Sequence, residues 1–439
     1  MLLAVGVVSF SLGVNGQSVM EMHMFSRYQN LGTARSAGTG GAFSALGNDF
    51  SSISINPAGA GVFRKEQIDV SVGIFSNSAT TRFGGETIES PSQNGLTFTN
   101  FGKVWMINQE RDRSSSFALT VNQNMSFREE YRGLGFAEDP SGEIFEPGDF
   151  YDEITDRNIR GTQYDVGLTL GFNEGYKWYY GFGVGIPISS FQQNYVNDQQ
   201  LLDINDDIVG TSIYDEFIDV AGIGINARAG VIYRPIPALR IGLSAQSPTA
   251  HSFNGEFDFT LRDDGVLSTG DNIGGLNPNY RYTMYTSGRL NAGIAYVFRR
   301  FGLISIDYDY MNPSWGSYGG RNLDGDLQSD VDRANDAIDN DLQPMHFVRA
   351  GTEIRLGDFF IRGGYSFTTS GLVNDYQATQ TVGNHLGFGY QGEKIGINLS
   401  LVSFTNTTGE FSFDTQAIPN PFLIDRNRTM FTIGLTILQ

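Results

Sequence analysis

Most of the chain alternates between bulky apolar and small or polar residues, in segments of about ten residues. In 164–172, for example, Leu168 and Leu170 share one face, whereas Asp165 and Gly167 share the other. A period of two is that of a β-strand whose faces meet different environments. We predict about fourteen such strands, near 67–75, 96–108, 115–127, 162–173, 176–187, 221–233, 238–261, 289–298, 302–311, 346–356, 358–367, 383–390, 394–404 and 428–438.

The connections between these segments alternate between tight turns and long polar loops. The predicted loops are 76–95, 128–161, 188–220, 262–288, 312–345, 368–382 and 405–427. A sandwich does not require this alternation, but outer-membrane barrels have short periplasmic turns and long extracellular loops. Closure also removes sheet edges that lipid could not satisfy. We therefore predict an all-β fold, a transmembrane β-barrel of about 14 antiparallel strands in the bacterial outer membrane.

The second face of each strand would line the lumen of this barrel. It carries glycines, small polar residues and a scatter of charges. Charges at strand centres are tolerated only where they face water or each other. The predicted luminal charges are Asp165, Arg228, Asp307, Arg349, Glu353, Arg355 and Arg362.

The stretch 32–65 does not fit the strand pattern and is crowded with small residues. Pro57 within it cannot donate a ladder hydrogen bond. We predict that 17–66 is an N-terminal luminal hatch, called the plug below, packed inside a barrel formed by 67–439. The apolar stretch 1–16 is predicted to be a signal peptide, with an N-terminal strand as the alternative.

Composition narrows the functional classes. Aromatic residues make up 13% of the chain, which suits two interfacial girdles, and there is no cysteine for thiol chemistry. No run of about 18 apolar residues follows the N-terminus. The formal charge of −19 argues against a nucleic-acid partner.

Candidate chemistry is sparse. The four histidines lack metal-ligand spacing, and Gly38, Gly40 and Gly41 lack the Lys-Ser/Thr of a phosphate loop. We therefore expect no enzyme activity, no metal and no cofactor. The acidic stretches 203–219 and 324–341 are interpreted as solvated loop tips, with calcium binding as the alternative.

Residues 32–63 resemble the N-terminal hatch of the FadL/TodX family of outer-membrane transporters. In that family a small-residue run leads to an Asn-Asp or Asp-Asp pair and then to Asn-Pro-Ala. Asn48-Asp49 and Asn56-Pro57-Ala58 stand in those places. Weaker similarities lie in 237–257, 306–315 and 347–365.

The resemblance implies a fourteen-stranded barrel that takes up long-chain fatty acids or aromatic compounds by passive diffusion. Hatch movement would then release the ligand sideways through the wall. The acidic loops and the C-terminal Gln439 depart from the family pattern. The residues expected to form the ligand and hatch site are Met22, Met24, Phe25, Tyr28, Gly38, Gly40, Gly41, Asn48, Asp49, Asn56, Pro57 and Ala58.

The expected partners are a hydrophobic small molecule, outer-membrane lipid and lipopolysaccharide, with a possible protein partner at the extracellular loops. The alternative function is a non-transporting barrel that serves as a scaffold in an outer-membrane secretion or assembly complex. An apolar tunnel with a gap in the wall would favour transport. A lumen filled by the plug and by ion pairs, with no gap, would favour the scaffold.

Overall fold

The barrel closes through fourteen antiparallel strands. A computed structural model describes residues 19–29, 31–138, 150–202, 207–263, 273–319, 325–373, 380–410 and 422–439. The predicted signal peptide, 1–16, lies outside them. In ring order the strands are β1 Gln67–Phe83, β3 Gln93–Gln109, β4 Arg113–Ser126, β6 Phe150–Glu174, β7 Trp178–Leu202, β8 Ile208–Ile236, β9 Leu239–Gln246, β12 Arg289–Val297, β13 Gly302–Met311, β15 Met345–Leu356, β16 Phe359–Thr368, β17 Thr381–Gln391, β18 Ile395–Glu410 and β19 Phe422–Leu438.

Pairing of β1 with β19 closes the ring, with Val70 opposite Leu435. Five further strands extend the sheet at the end that carries the long connections, here called the loop end; the opposite end is the turn end. They are β2 Glu86–Glu89, β5 Glu129–Glu138, β10 Thr249–Asp263, β11 Ile273–Thr286 and β14 Ser317–Gly319. Within the described residues, no helix is both long and apolar enough to cross a membrane.

The predicted orientation of the two strand faces is confirmed. Leu168 and Leu170 are 41% and 43% exposed on the outside, whereas Asp165 is fully buried. Along β19, Ile433 and Leu435 are exposed and Thr432 is buried. On these strands the outward face is therefore apolar and the inward face polar, the arrangement that a hydrocarbon solvent requires.

Several predicted loops are wrong in part, because strands continue into them. The predicted strand 162–173 is the last half of β6, and β7 and β8 likewise extend far into 188–220. These extensions stand beyond the predicted membrane: polar residues such as Arg160 and Asp219 are exposed on them, while a few apolar residues such as Ile159 face the lumen. They therefore lack the apolar alternation on which the prediction depended.

The segment predicted as one strand, 238–261, is interrupted between β9 and β10. Pro248 has no N–H to donate, and Ser247 accepts a hydrogen bond from the Ala227 N–H through its hydroxyl. A matching interruption at Ser287 and Gly288 separates β11 from β12 in the predicted loop 262–288. A Cβ at Gly288 would lie 2.7 Å from the Gln246 carbonyl oxygen, so glycine lets the two interruptions pack together.

The predicted loop 312–345 also contains regular structure: a 3-10 turn Pro313–Trp315, β14 and the helix α4 Gly325–Asp341. The helix α4 spans nearly all of the acidic stretch 324–341, so the interpretation of this stretch as a loop tip is wrong. Ala334 and Ile338 are buried on one face of α4, and Asp332 and Asp339 are exposed on another. This amphipathic helix covers the loop end of the lumen.

The plug fills the middle of the barrel. Residues 19–26 form a helix, α1, at the loop end of the lumen. Below it follow α2 Ala34–Ala37, α3 Phe50–Ile55 and a 3-10 helix Pro57–Val62. Nearly all described residues of 31–63 are buried. They contact inward-facing residues of the wall on every side.

Candidate functional site

The plug contacts the wall mainly through backbone, and wall glycines make this possible. A Cβ at Gly364 would overlap the Gly40 nitrogen, and one at Gly181 would overlap the Pro57 carbonyl carbon. Gly38 lies against Gly387 in the same way. Backbone therefore approaches backbone at each of these points. The wall glycines in such contact are Gly171, Gly181, Gly242, Gly351, Gly364 and Gly387.

Asn56 joins the plug to itself and to the wall. Its Nδ2 donates to the carbonyl oxygens of Ser44, at 3.0 Å, and Val231, at 3.3 Å. Its Oδ1 accepts from the Ala58 N–H, at 3.1 Å, and so caps the 3-10 helix that Pro57 begins. Asn56 is fully buried, so the amide satisfies backbone groups that would otherwise be unpaired.

The neighbouring pair Asn48-Asp49 divides into two roles. Asp49 is buried and caps α3, accepting from the Ser51 N–H at 2.9 Å and from the Thr33 hydroxyl at 2.8 Å. Burial raises the pKa of Asp49. The charge of Arg35 and these hydrogen bonds act in the opposite direction but do not cancel the rise. Asn48 is exposed and adopts a positive φ of 56°, a conformation that asparagine tolerates.

Most of the predicted luminal charges are buried in ion pairs. Asp165 and Arg228 form a two-pronged pair with both distances 2.6 Å. Glu353 accepts from Arg362 at 2.7 Å and from Arg35 of the plug at 3.2 Å. These pairs satisfy charges that an interior could not otherwise hold.

Three further predicted luminal charges differ in their surroundings. Arg349 pairs with Asp309, at 2.5 Å, a partner that the prediction did not include. Asp307 is buried and accepts from the Ser44 N–H at 2.8 Å, so it ties the plug to β13. Arg355 is exposed at the turn end of β15 and donates to the Gly357 carbonyl.

The ladder between β3 and β4 is interrupted at mid-height. It runs from the pair Gln109–Ser114 only as far as Asn100–Asn122. Above this point the plug backbone takes the place of β3. The Leu31 N–H donates to the Gln123 carbonyl at 3.2 Å, and that of Gln29 donates to Asn124 at 3.0 Å. The described part of β3 above Asn100 pairs with β1 alone.

An apolar cluster fills the loop end of the lumen, and α1 occupies its centre. Met22 and Phe25 are buried there, with Met24 packed against them. The Phe25 ring lies 4.8 Å from Phe253 and 5.2 Å from Phe127, measured between centroids. The members of this apolar cluster that come from the barrel and from the segments covering its loop end are Met125, Phe127, Ile159, Phe191, Ile218, Val220, Phe253, Met284, Tyr318, Ala334, Ile338, Leu342 and Leu372.

Two polar residues of α1 are held in this apolar environment. Glu21 accepts hydrogen bonds from the Tyr282 hydroxyl and, at 2.9 Å, from the Tyr318 hydroxyl. Burial raises the pKa of Glu21. Burial, together with the charge of Arg27, lowers the pKa of His23 to about 3. Sequence reasoning missed this arrangement, since no local signal brings β11 and β14 to the N-terminus.

Two small cavities lie between plug and wall. Each measures about 40 Å³, room for about three water molecules. Tyr28 lines both, and Gly40 and Gly41 line the first. The Arg289 guanidinium lies 4.1 Å from the Tyr28 ring centroid. Neither of these two cavities has room for a molecule of lipid size.

Similarity to known proteins is confined to structure. No protein-family model matches the sequence, and a search of curated proteins found no match. A FadL homologue from Pseudomonas aeruginosa superposes with a TM-score of 0.60 at 12% identity, covering 92% of this chain and 98% of that one. The toluene transporter TbuX of Ralstonia pickettii gives 0.56 at 15%, covering 94% and 99%.

The toluene transporter TodX of P. putida gives a TM-score of 0.55 at 13% identity, covering 92% of this chain and 97% of that one. At such low identity the likeness establishes the fold. It extends over nearly the whole of each protein. The chain therefore has the fold of the FadL/TodX-type barrels, as the resemblance in 32–63 implied.

Proposed function

We propose that the protein is an outer-membrane channel that carries a hydrophobic small molecule, a long-chain fatty acid or an aromatic compound, by passive diffusion. The apolar outer faces would contact the bilayer and its lipopolysaccharide, and the turn end would face the periplasm. The observation that carries the proposal is the apolar cluster at the loop end, whose centre is occupied by α1 of the same chain.

This cluster has the composition of a ligand site. Ligand sites are concave and mostly apolar, with a few placed polar groups. Phe127, Phe253 and Met284 provide apolar lining, and Tyr282 and Tyr318 present hydroxyl groups that Glu21 now uses. Met22 and Phe25 fill the space that a hydrophobic ligand would take.

Transport then depends on exchange between α1 and ligand. A ligand gains about 25 cal/mol for each Å² of apolar surface that leaves water. It shifts the equilibrium only if it binds the state with α1 displaced more tightly than the state with α1 in place. Because α1 leads directly into Gln29 and Leu31, its displacement would pull on the backbone that fills the β3–β4 interruption.

The interruption provides a route through the wall. Two plug N–H groups hold it closed, at 3.0 and 3.2 Å, rather than a continuous ladder. A shift of Gln29 and Leu31 would leave the Gln123 and Asn124 carbonyls of β4 without their backbone partners on the side that faces β3. Ligand released there would enter the bilayer without crossing the tightly packed part of the plug.

A reversible disulfide tests this proposal. Gly316 contacts the Met22 thioether, because a Cβ at Gly316 would overlap the Met22 sulfur. The chain has no cysteine, so Met22→Cys with Gly316→Cys introduces a single pair of thiols. Oxidation would hold α1 in the cluster. The same protein after reduction is the matched control.

The assay measures binding of radiolabelled oleate and toluene to the purified, lipid-stripped protein. We expect saturable binding of at least one compound to the reduced form, and at least tenfold weaker binding to the oxidised form. If neither compound binds the reduced protein, the proposed function is wrong. If oxidation leaves binding unchanged, the α1 site is wrong.

A second candidate function is a scaffold in an outer-membrane complex. The filled lumen and the buried pairs Asp165–Arg228 and Glu353–Arg362 favour it, since both would keep a barrel permanently shut. The scaffold function predicts no binding of either compound in the same assay. It also predicts that α1 stays in place under all conditions.

A further inference from the structure

Three arginines meet at the turn end of the lumen, below the plug. Arg64 lies at the C-terminal end of the plug, Arg234 lies near the end of β8, and Arg240 lies near the start of β9. Nη2 of Arg64 and Nη1 of Arg234 both donate to the Tyr179 hydroxyl oxygen, at 3.3 and 2.9 Å. Nη1 of Arg240 donates to the Leu46 carbonyl oxygen of the plug.

This arginine cluster has no carboxylate to balance it. Among the described residues, no ion pair includes Arg64, Arg234 or Arg240, whereas Arg35 pairs with Glu353 close by. The other partners are neutral: the Ser114 hydroxyl for Arg64 and the Pro237 carbonyl for Arg234. Like charges held together in a partly buried place repel each other.

Two nitrogen atoms of the cluster are also left without a hydrogen bond. Nε of Arg234 and Nε of Arg240 are buried and have no partner among the described groups. A buried donor without an acceptor costs free energy. Ordinary rim arginines differ, since Arg300 at the neighbouring turn is exposed to water. The cluster therefore has both unbalanced charge and unused donors.

We propose that these three arginines form a binding site for one oxyanion, a phosphate or a carboxylate, that enters from the turn end. Guanidinium groups match both anions because their N–H donors form a planar fork. The bound anion would accept from the unused Nε donors of Arg234 and Arg240 in the wall and would contact Arg64, and so would link the end of the plug to the wall. The site is independent of whether a hydrophobic compound crosses the barrel.

Thermal unfolding and calorimetry test this site with two probes, inorganic phosphate and acetate, at constant ionic strength set with chloride. We expect saturable binding of at least one probe to the wild-type protein, with a rise in Tm that chloride does not give. The probe that binds more tightly identifies the source as phosphate or carboxylate. Binding of neither probe to the wild type would overturn the proposal without reference to any variant.

The variants Arg64→Gln and Arg234→Gln test the residues. We expect each to bind the anion at least tenfold more weakly, and to lose the anion-dependent rise in Tm. Without anion, each should have a Tm equal to or above that of the wild type, because repulsion is relieved; a merely structural arginine would give a lower Tm. The control Arg300→Gln should bind within twofold of the wild type. Unchanged binding in both cluster variants would overturn the proposal.

Discussion

The adjacent glycines Gly363 and Gly364 of β16 offer a direct test of how the plug is held. A Cβ at Gly364 would point into the lumen and lie 2.5 Å from the Thr39 carbonyl carbon and 2.8 Å from Gly40 Cα. A Cβ at Gly363 points the other way and meets only the Thr352 methyl group, at 3.9 Å. Gly364→Ala and Gly363→Ala are therefore a matched pair.

The expected magnitude follows from the neighbours of each methyl group. The atoms opposite Gly364 are backbone and cannot rotate away, so the extra methyl should cost about 1–3 kcal/mol of plug docking. That corresponds to a roughly 5- to 150-fold rise in the population of the opened plug. The barrel ladder is untouched, because Gly364 and its partner His385 stay paired through the backbone.

Hydrogen exchange of the plug amides measures this population. We expect the amides of Thr39, Gly40 and Gly41 to exchange faster in Gly364→Ala by that factor, and at the wild-type rate in Gly363→Ala. Amides of β16 should not change in either variant. Wild-type exchange in Gly364→Ala, or equal acceleration in both variants, would refute the packing of plug backbone against wall glycine.

Three further predictions concern the plug and the ion pairs. Arg228→Met should lower the free energy of unfolding in lipid vesicles by about 3–5 kcal/mol, because Asp165 is left buried and unpaired. Adding Asp165→Leu should restore most of this free energy, and a further loss in the double variant would contradict the prediction. Asn56→Ala should weaken plug docking by about 1–2 kcal/mol, seen as faster hydrogen exchange of the 3-10 helix. The pKa of His23 is lowered to about 3 while the released segment keeps the ordinary 6.5, so α1 docking should weaken as pH falls below 6.5, by about 1.4 kcal/mol at pH 5.5. The measurement is the pH dependence of hydrogen exchange in α1, compared between the wild type and His23→Gln. Glu21 is present in both proteins, so the comparison removes its contribution, which has the opposite sign because its pKa is raised. An equal pH dependence in the two proteins would contradict the prediction.

Alternation predicted the barrel well where two solvents meet its two faces. Leu168 and Asp165 separate cleanly because one side is apolar and the other polar. The same logic failed for the first half of β6, which the sequence analysis assigned to a loop. There the exposed residues, such as Asp156 and Arg160, are polar and the buried face mixes polar residues with Ile159, so the apolar-outward period-two pattern is lost.

The helix α4 was missed for a related reason. Its acidic residues dominate the stretch, and the apolar face needs only Ala334, Ile338 and the partly buried Val331. These apolar residues recur at three- and four-residue spacing, as in an amphipathic helix. The many acidic residues between them favour a solvated loop instead. Pairing within the loop end, such as β11 with β14, depends on contacts distant in sequence and leaves no local signal.

The candidate site also has one part that the sequence predicts and one part that depends on contacts distant in sequence. The capping and cross-linking role of Asn56 was foreseeable, because a buried loop must satisfy its backbone groups. The tyrosine pair on Glu21 was not foreseeable, since Tyr282 and Tyr318 reach it from distant segments. The apolar residues Met22 and Phe25 are candidates for the site from the sequence, and only the fold shows that both lie buried at the centre of the apolar cluster.

The central claim is that a hydrophobic ligand and α1 compete for one apolar cluster. Hydrogen exchange of residues 19–26, with and without saturating oleate or toluene, tests it most directly. The account predicts that ligand speeds exchange in α1 while leaving α3, Phe50–Ile55, as protected as before. Ligand that binds while α1 stays equally protected, or becomes more protected, would contradict it.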